Sequence, residues 1–177
     1  MLNHVYIGLG SNLGDRYHQI KVALGYIQQL PNTQILQCAR IYETKPLGHS
    51  LHWYLNTVIH VKTNLAPKEL LDKLLDIEQH MGRVRSVKFA DRIIDLDLLL
   101  YAQQTNQDPH CTLPHPGLHE RCFVLAPLFD IAPDLYLATH KKTIAQLWQQ
   151  HQQQHHCNDD MIRLFKNDLT PPGHLLY

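Results

Sequence analysis

The stretch RIIDLDLLLY, residues 92–101, sets two aspartates into an otherwise apolar run. Alternate residues of a strand point to opposite faces, so Asp95 and Asp97 would share one face, about 7 Å apart along the chain. Two adjacent carboxylates repel each other, and burial makes their charged forms costly. The pattern therefore predicts a positive partner, either arginine or a metal ion. The apolar residues expected on the opposite face are Ile94, Leu96, Leu98 and Leu100.

The order of elements predicts an α+β fold. Strand patterns occur at residues 4–11, 35–44, 54–64 and 93–101, and helix patterns lie near residues 15–30 and 66–82. The order βαββαβ is that of a ferredoxin-like core, with an antiparallel sheet and helices on one face. A C-terminal extension follows, with an apolar stretch at 124–133, a helix at 142–150 and an extended tail. We expect a single domain over residues 1–177, with its core at about 4–150 and its tail at about 151–177.

Composition limits the classes of partner. Lys plus Arg and Asp plus Glu are 16 each, so no global charge favours nucleic acid or a membrane. The N-terminus shows no apolar signal segment, and the four cysteines contain no Cys-x-x-Cys pair. These features predict reduced thiols in a cytoplasmic protein, which we expect to be a monomer. Four residues have side chains that could bind zinc: Cys111, His115, His119 and Cys122. Their spacing matches no known zinc pattern, which disfavours a structural metal there.

Phosphoryl chemistry is suggested by arginines near the aspartates. Arg83, Arg85 and Arg92 precede the pair, and Arg121 follows the LPHP turn. Carboxylates that hold Mg²⁺ and arginines that neutralise phosphate oxygens form a phosphoryl-transfer site. GLGSNLG is not a dinucleotide fingerprint, and no phosphate loop of the G-x-x-x-x-G-K-[ST] type is present. Locally, an Asp–Arg ion pair at a sheet edge explains the same residues equally well.

A family resemblance distinguishes these interpretations. From about Val5 to Pro133, the chain contains in order YIGLGSNLGDR, YETKPLG, YLNTVI, GRVR, RIIDLDLLLY and LPHPGLHERCFVLAPL. This series resembles the 6-hydroxymethyl-7,8-dihydropterin pyrophosphokinases of folate biosynthesis. The resemblance implies transfer of a pyrophosphoryl group from ATP to the hydroxymethyl group of the pterin, with release of AMP.

The resemblance also implies roles for individual residues. Asp95 and Asp97 would hold two Mg²⁺ ions, and Arg83 and Arg92 would act on the transferred phosphates. Arg85 falls in the family's loop that closes over ATP. The implied ATP-binding residues are Arg85, Leu98, Thr112, His115 and Arg121. The implied pterin-binding residues are Thr44, Pro46, Leu47, Tyr54, Asn56, Phe89 and Phe123.

Two loops depart from the family pattern. Residues 48–54 lack the usual acidic residues, and in residues 88–91 Phe89 replaces a tryptophan that covers the pterin. Leu75 stands where a glutamine often faces the nucleotide in the family, and His110 stands at a position that is arginine in some members. These changes leave two alternatives: a paralogue that pyrophosphorylates a related pterin, or a non-catalytic pterin-binding member.

Overall fold

A computed structural model describes residues 1–48, 50–84, 91–154, 156–166 and 169–173. Within these ranges the strands are β1 (Asn3–Ser11), β2 (Thr33–Cys38), β3 (Ile41–Thr44), β4 (Tyr54–Thr63), β5 (Asp95–Tyr101), β6 (Tyr136–Leu137), β7 (Lys142–Thr143) and β8 (Ile162–Lys166). The helices are α1 (Arg16–Gln28), α2 (Pro67–His80), α3 (Cys122–Ile131) and α4 (Ile144–Gln153). No helix in the described part of the chain is long and apolar enough to cross a membrane.

The main sheet is built around β4. This strand pairs with β1 on one side and with β2 and β3, one after the other, on the other side. Strand β5 forms one edge beyond β1, and β8 forms the other edge beyond β3. All of these pairings are antiparallel. The predicted α+β fold with an antiparallel sheet is confirmed.

Helices cover both faces of this sheet. Helices α1 and α2 pack on one face, where Ile20, Leu24, Leu70 and Leu74 join the main core. Helices α3 and α4 cover the other face and belong to a second apolar cluster. Four elements were not predicted: the helix α3, where the sequence shows only an apolar stretch, the short strands β6 and β7, and β8, which lies within the predicted tail. The division into core and tail remains a prediction.

The single strand predicted at residues 35–44 is wrong, because the chain is interrupted between β2 and β3. The hydroxyl of Thr57 donates to the carbonyl oxygens of both Ala39 and Arg40, at 3.1 Å each. These two carbonyls are therefore bound by a side chain at the break between the strands. Pairing with β4 resumes with the register shifted by one residue, at Tyr42 opposite Asn56.

A bulge in β5 places Leu100 on a different face of the sheet from the one predicted. Tyr6 of β1 pairs with Leu100, while the next residue, Ile7, pairs with Leu98. Leu99 is therefore the extra residue, and both Leu99 and Leu100 pack on the face covered by α3 and α4. The prediction that Leu100 would lie opposite the aspartates is wrong. The bulge follows the aspartates, whose own alternation it leaves intact.

The prediction of four reduced thiols is also wrong for two cysteines. Cys122, the first residue of α3, forms a disulfide with Cys157, which precedes β8, and their Cα atoms are 5.5 Å apart. The residues are 35 apart in sequence, so no local spacing signals the pairing. Cys38 and Cys111 are free.

Candidate active site

Asp95, the first residue of β5, is paired with arginine. Its Oδ1 accepts a hydrogen bond from Nη1 of Arg83 at 2.8 Å, and its Oδ2 accepts one from Nη1 of Arg92 at 2.9 Å. Arg83 follows α2 and Arg92 precedes β5, so two separate segments direct positive charge at one carboxylate. The ion pair considered as an alternative to a metal site is present at this aspartate.

Asp97, on the same face two residues later, has a different environment. In the part of the chain that the structure describes, its carboxylate accepts no hydrogen bond and forms no ion pair. Burial and the neighbouring charge of Asp95 raise the pKa of Asp97 to about 7, against the opposing effects of Arg121 and Arg83. Asp97 is partly buried. A partly buried carboxylate without a partner is costly, and a bound cation would remove that cost. In this structure Asp95 is paired with arginines, whereas the Asp97 carboxylate remains open to a cation.

Glu78 is a functional candidate that the sequence interpretation missed. It is only 2% exposed, and its Oε1 accepts the backbone N–H of Leu96 at 2.7 Å and pairs with Arg83 at 2.5 Å. Burial raises the pKa of Glu78, against the opposing effects of these two partners. Glu78 thus positions Arg83 beside β5. Glu78 lies one turn after Leu74, on the apolar face of α2. A charged residue on that face could have indicated its role from the sequence.

A cavity of about 420 Å³ opens beside β5, between α2 and the loop that precedes α3. It contains most of the residues predicted for catalysis and ATP binding. Arg85 lies outside the described residues. Leu75 and His110, where the chain departs from the family pattern, also line this space. The predicted residues that line the cavity are Arg83, Arg92, Asp95, Asp97, Leu98, Thr112, His115 and Arg121.

The tautomer of His115 follows from its contacts. Its Nδ1 accepts the backbone N–H of Gly117 at 3.1 Å, so the proton of the neutral ring is on Nε2. Burial and the charge of Arg121 lower the pKa of His115, which favours this neutral form. The backbone N–H of His115 donates to the carbonyl of Leu99 at 2.8 Å and fixes the loop to β5. His115 therefore offers a neutral N–H donor at the cavity wall.

A second cavity, of about 150 Å³, adjoins the first. Asn56 of β4 is buried on its wall, and its side-chain N–H donates to the hydroxyl of Thr44 at 2.6 Å. Arg92, Asp95 and Arg121 line both cavities. Phe89 lies outside the described residues. The predicted pterin-binding residues that line this cavity are Thr44, Pro46, Leu47, Tyr54, Asn56 and Phe123.

Arg121 stands at the junction of the two cavities. Its guanidinium lies over Gly117, where an added Cβ would be 2.6 Å from Cζ of Arg121, so position 117 admits only glycine without displacing the arginine. The guanidinium carbon is also 5.7 Å from the centre of the Phe123 ring. These contacts hold a positive charge between a polar and a more apolar space.

Comparison with known proteins identifies the family. Residues 6–133 match the family described as 7,8-dihydro-6-hydroxymethylpterin-pyrophosphokinase (HPPK). The chain belongs to this family. The predicted family and transferase class are thereby confirmed. The 2-amino-4-hydroxy-6-hydroxymethyldihydropteridine pyrophosphokinase of Haemophilus influenzae is 44% identical over 133 residues, which cover 75% of this chain and 83% of the relative. The Bacillus subtilis protein of the same name is 39% identical over 132 residues, or 74% and 79% of the two chains.

Solved structures show the same HPPK fold. The wild-type HPPK-DHPS of Plasmodium falciparum superposes with a TM-score of 0.71 at 15% identity. The match covers 93% of this chain and 44% of the other, so this chain spans less than half the length of that protein. At this identity the likeness supports the fold alone.

The two loops that depart from the HPPK pattern contact each other. Asp91 accepts hydrogen bonds from Asn12 at 2.8 Å and from Ser50, and its Oδ2 lies 2.7 Å from Nδ1 of His52. Hydrogen bonds from Ser50 and His52 lower the pKa of Asp91. Asn12 also accepts the backbone N–H of Arg92 at 2.6 Å. Asn12 and Asp91 were not predicted as site residues, although Asn12 lies within the motif YIGLGSNLGDR and Asp91 directly precedes RIIDLDLLLY.

Proposed function

We propose that this HPPK transfers the pyrophosphoryl group of ATP to the hydroxymethyl group of 6-hydroxymethyl-7,8-dihydropterin and releases AMP. The observation that carries the proposal is the junction of two unlike cavities at Arg92, Asp95 and Arg121. A triphosphate in the larger cavity and a pterin in the smaller one would meet at these charges. Transfer between two bound reactants needs such an approach, because correct positioning supplies much of the rate enhancement.

On the nucleotide side, cationic groups match the charge of a triphosphate. Arg83, Arg92 and Arg121 offer planar donors that bind phosphate oxygens in pairs. His115 adds a neutral donor, and Leu98 provides apolar surface for adenine. Thr112 and, from the resemblance, Arg85 complete the proposed ATP site.

Two Mg²⁺ ions, held by Asp95 and Asp97, form part of the proposal. The residues fit this role, because the Asp97 carboxylate has no partner among the described residues and its pKa is raised to about 7. When bound, Mg²⁺ would neutralise phosphate charge and align the triphosphate for in-line attack. Arg83 and Arg92, which pair with Asp95 here, are placed to donate to phosphate oxygens instead. Their donors would stabilise charge that develops on the transferred group.

On the pterin side, Asn56 and Thr44 offer polar groups beside the apolar and aromatic residues of the smaller cavity. The Oδ1 of Asn56 is an acceptor for ring N–H groups, since its Nδ2 already donates to Thr44. Tyr54 and Phe123 supply aromatic surface that can contact a flat ring. Pro46, Leu47 and, from the resemblance, Phe89 would enclose the remaining faces.

The test is AMP release from ATP with Mg²⁺ and 6-hydroxymethyl-7,8-dihydropterin, run beside dihydroneopterin. The proposal expects AMP and the pterin pyrophosphate in equal amounts, with a higher kcat/KM for the hydroxymethyl substrate. A higher kcat/KM for dihydroneopterin would indicate a paralogue with another substrate. Pterin binding without AMP release would indicate a non-catalytic member. We also propose a cytoplasmic monomer, since a single chain supplies the described walls of both cavities.

A further inference from the structure

A group of potential metal ligands lies apart from the two cavities, between the start of α3 and the end of α4. The sulfurs of Cys122 and Cys157 and a ring nitrogen of His151 all lie within 4.8 Å of one another. Cys157 is buried, and the other two side chains are partly exposed. This is the one such group of three or more His, Cys, Asp or Glu side chains among the described residues. The zinc set considered from sequence shares only Cys122 with it.

The tautomer of His151 suits a metal ligand. Its Nε2 lies 2.8 Å from the carbonyl oxygen of His119. A carbonyl oxygen can only accept, so Nε2 carries the proton and Nδ1 keeps its lone pair. That Nδ1 is buried and has no hydrogen-bond partner within the described part of the chain. Histidines that bind metals show this arrangement, in which a backbone carbonyl fixes the tautomer through the second nitrogen.

We propose that Cys122, His151 and Cys157 form a zinc-type metal site when the disulfide is reduced, so that the two cysteines alternate between a disulfide and a pair of metal thiolates. Two thiolates and one imidazole are ligands that zinc prefers in tetrahedral sites. A fourth ligand would be water or the imidazole of His156, whose ring centre is 5.6 Å from that of His151.

Conversion of the disulfide into the metal site needs a reductant, for which a dithiol suffices. The dithiol supplies two electrons and two protons, the bond between the sulfurs of Cys122 and Cys157 breaks, and the reductant becomes its own disulfide. Zn²⁺ then displaces the two thiol protons to solvent, and neutral His151 contributes its lone pair without losing a proton. Two sulfurs at about 2.3 Å from zinc in a tetrahedron are about 3.8 Å apart. Side-chain rotation at the observed Cα separation of 5.5 Å allows this change.

The site is connected to the catalytic region through the backbone. Cys122 lies between Arg121 and Phe123, both of which line the smaller cavity. Cys157 precedes β8, whose Ile162 pairs with Thr44, another residue that lines the same cavity. Either form of the cross-link therefore ties the start of α3 to the segment that leads into β8. Only the reduced, metal-free protein lacks this tie.

The experiment uses the full chain and Co²⁺ as a spectroscopic probe. The protein is reduced with a dithiol, freed of reductant under argon, and titrated with Co²⁺ in excess Mg²⁺ to occupy carboxylate sites. We expect one Co²⁺ per chain, with thiolate-to-cobalt charge transfer and the intense d–d bands of four-coordinate cobalt, and displacement by Zn²⁺. Oxidised protein should show neither signal. Comparing the two redox states requires no substitution.

Variants assign the ligands. Cys157→Ser should abolish the charge-transfer band of a dithiolate site, and His151→Gln should weaken Co²⁺ binding by at least about tenfold. Cys111→Ser removes a buried free thiol outside the group and should bind as the wild type does. Far-UV circular dichroism checks that each variant is folded. Reduced wild type without charge transfer, or an unchanged band in folded Cys157→Ser, would overturn the proposal.

Discussion

Gly10 of β1 faces Asn56 of β4 so closely that a Cβ at position 10 would lie 2.5 Å from Oδ1 of Asn56. That oxygen is the acceptor proposed to bind the pterin edge, while the amide nitrogen of the same side chain is held by Thr44. The absence of a side chain at Gly10 therefore sets the position of a group in the smaller cavity. The glycine-containing strand motif therefore packs against the proposed pterin site, and it does not have the spacing of a dinucleotide fingerprint.

Gly10→Ala should displace Asn56 and weaken pterin binding. We expect KM for the pterin to rise about tenfold, equivalent to about 1.4 kcal/mol, with little change in KM for ATP. Gly8→Ala is the matched control on the same strand, since its Cβ would lie 3.4 Å from Cδ1 of Leu99, close to an ordinary contact. Steady-state kinetics with each substrate varied provides the measurement. Equal effects of the two substitutions on KM for the pterin would contradict the role given to Gly10.

Asp97→Ala should abolish turnover while the fold remains intact. The charge stabilisation that a metal supplies is worth several kcal/mol, so we expect a loss of about a hundredfold or more at saturating Mg²⁺. The melting temperature should stay the same or rise, because the substitution removes a partly buried carboxylate without a partner among the described residues. Asp72→Ala, an exposed change on α2, serves as the control. A rate above about a tenth of wild type would show that the metal assignment is wrong.

Patterns local in sequence predicted a large part of this structure. The alternation around Asp95 and Asp97 placed them on one face of a strand, and the spacing of Leu70, Leu74 and Ile77 predicted α2. Motif order then identified residues that line the two cavities. Such signals are readable because a strand repeats every two residues and a helix every 3.6.

Features that depend on contacts distant in sequence were not predicted. The bulge at Leu99 depends on how β5 pairs with β1, and Cys122 meets Cys157 across a sequence separation of 35 residues. Likewise, His52 and Asp91 each departed from the family pattern, but only the fold shows that these residues contact each other. Neither a one-residue shift in strand register nor a tertiary contact produces a periodic pattern in a single sequence, so neither can be predicted from one.

Arg92→Ala should slow the chemical step more than it weakens ATP binding. Arg92 lies at the junction of the cavities and pairs with Asp95, which holds its guanidinium where the transferred group is proposed to lie. Loss of such a donor typically costs about 3 kcal/mol, or on the order of a hundredfold in rate. Arg92→Lys keeps the charge without the planar fork and should retain an intermediate rate. Rapid-quench single turnovers and calorimetric ATP titration separate the two effects. A raised dissociation constant for ATP with an unchanged single-turnover rate would contradict this role.

Glu43 of β3 should make stability depend on pH. Its Oε1 pairs with Nη1 of Arg16 at 2.9 Å, and its Oε2 accepts from Nε of Arg163 in β8 at 2.8 Å. Burial alone would raise the pKa of Glu43, but hydrogen bonds from Arg163 and Arg16 outweigh it and hold the pKa below 4.5. A carboxyl with a lowered folded-state pKa stabilises the protein above its unfolded-state pKa. That stabilisation is lost as the pH falls through the folded-state value.

Glu43→Gln should therefore lower the free energy of unfolding by about 1 kcal/mol at pH about 7, a modest value because Arg163 is largely exposed. The difference from wild type should shrink as the pH falls below 4.5 and vanish once the folded-state carboxyl is protonated. Urea unfolding followed by circular dichroism over this pH range measures it, with Glu120→Gln at an exposed position as control. A stability difference that stays constant with pH would mean that packing, and not the charge of Glu43, ties α1 and β8 to β3.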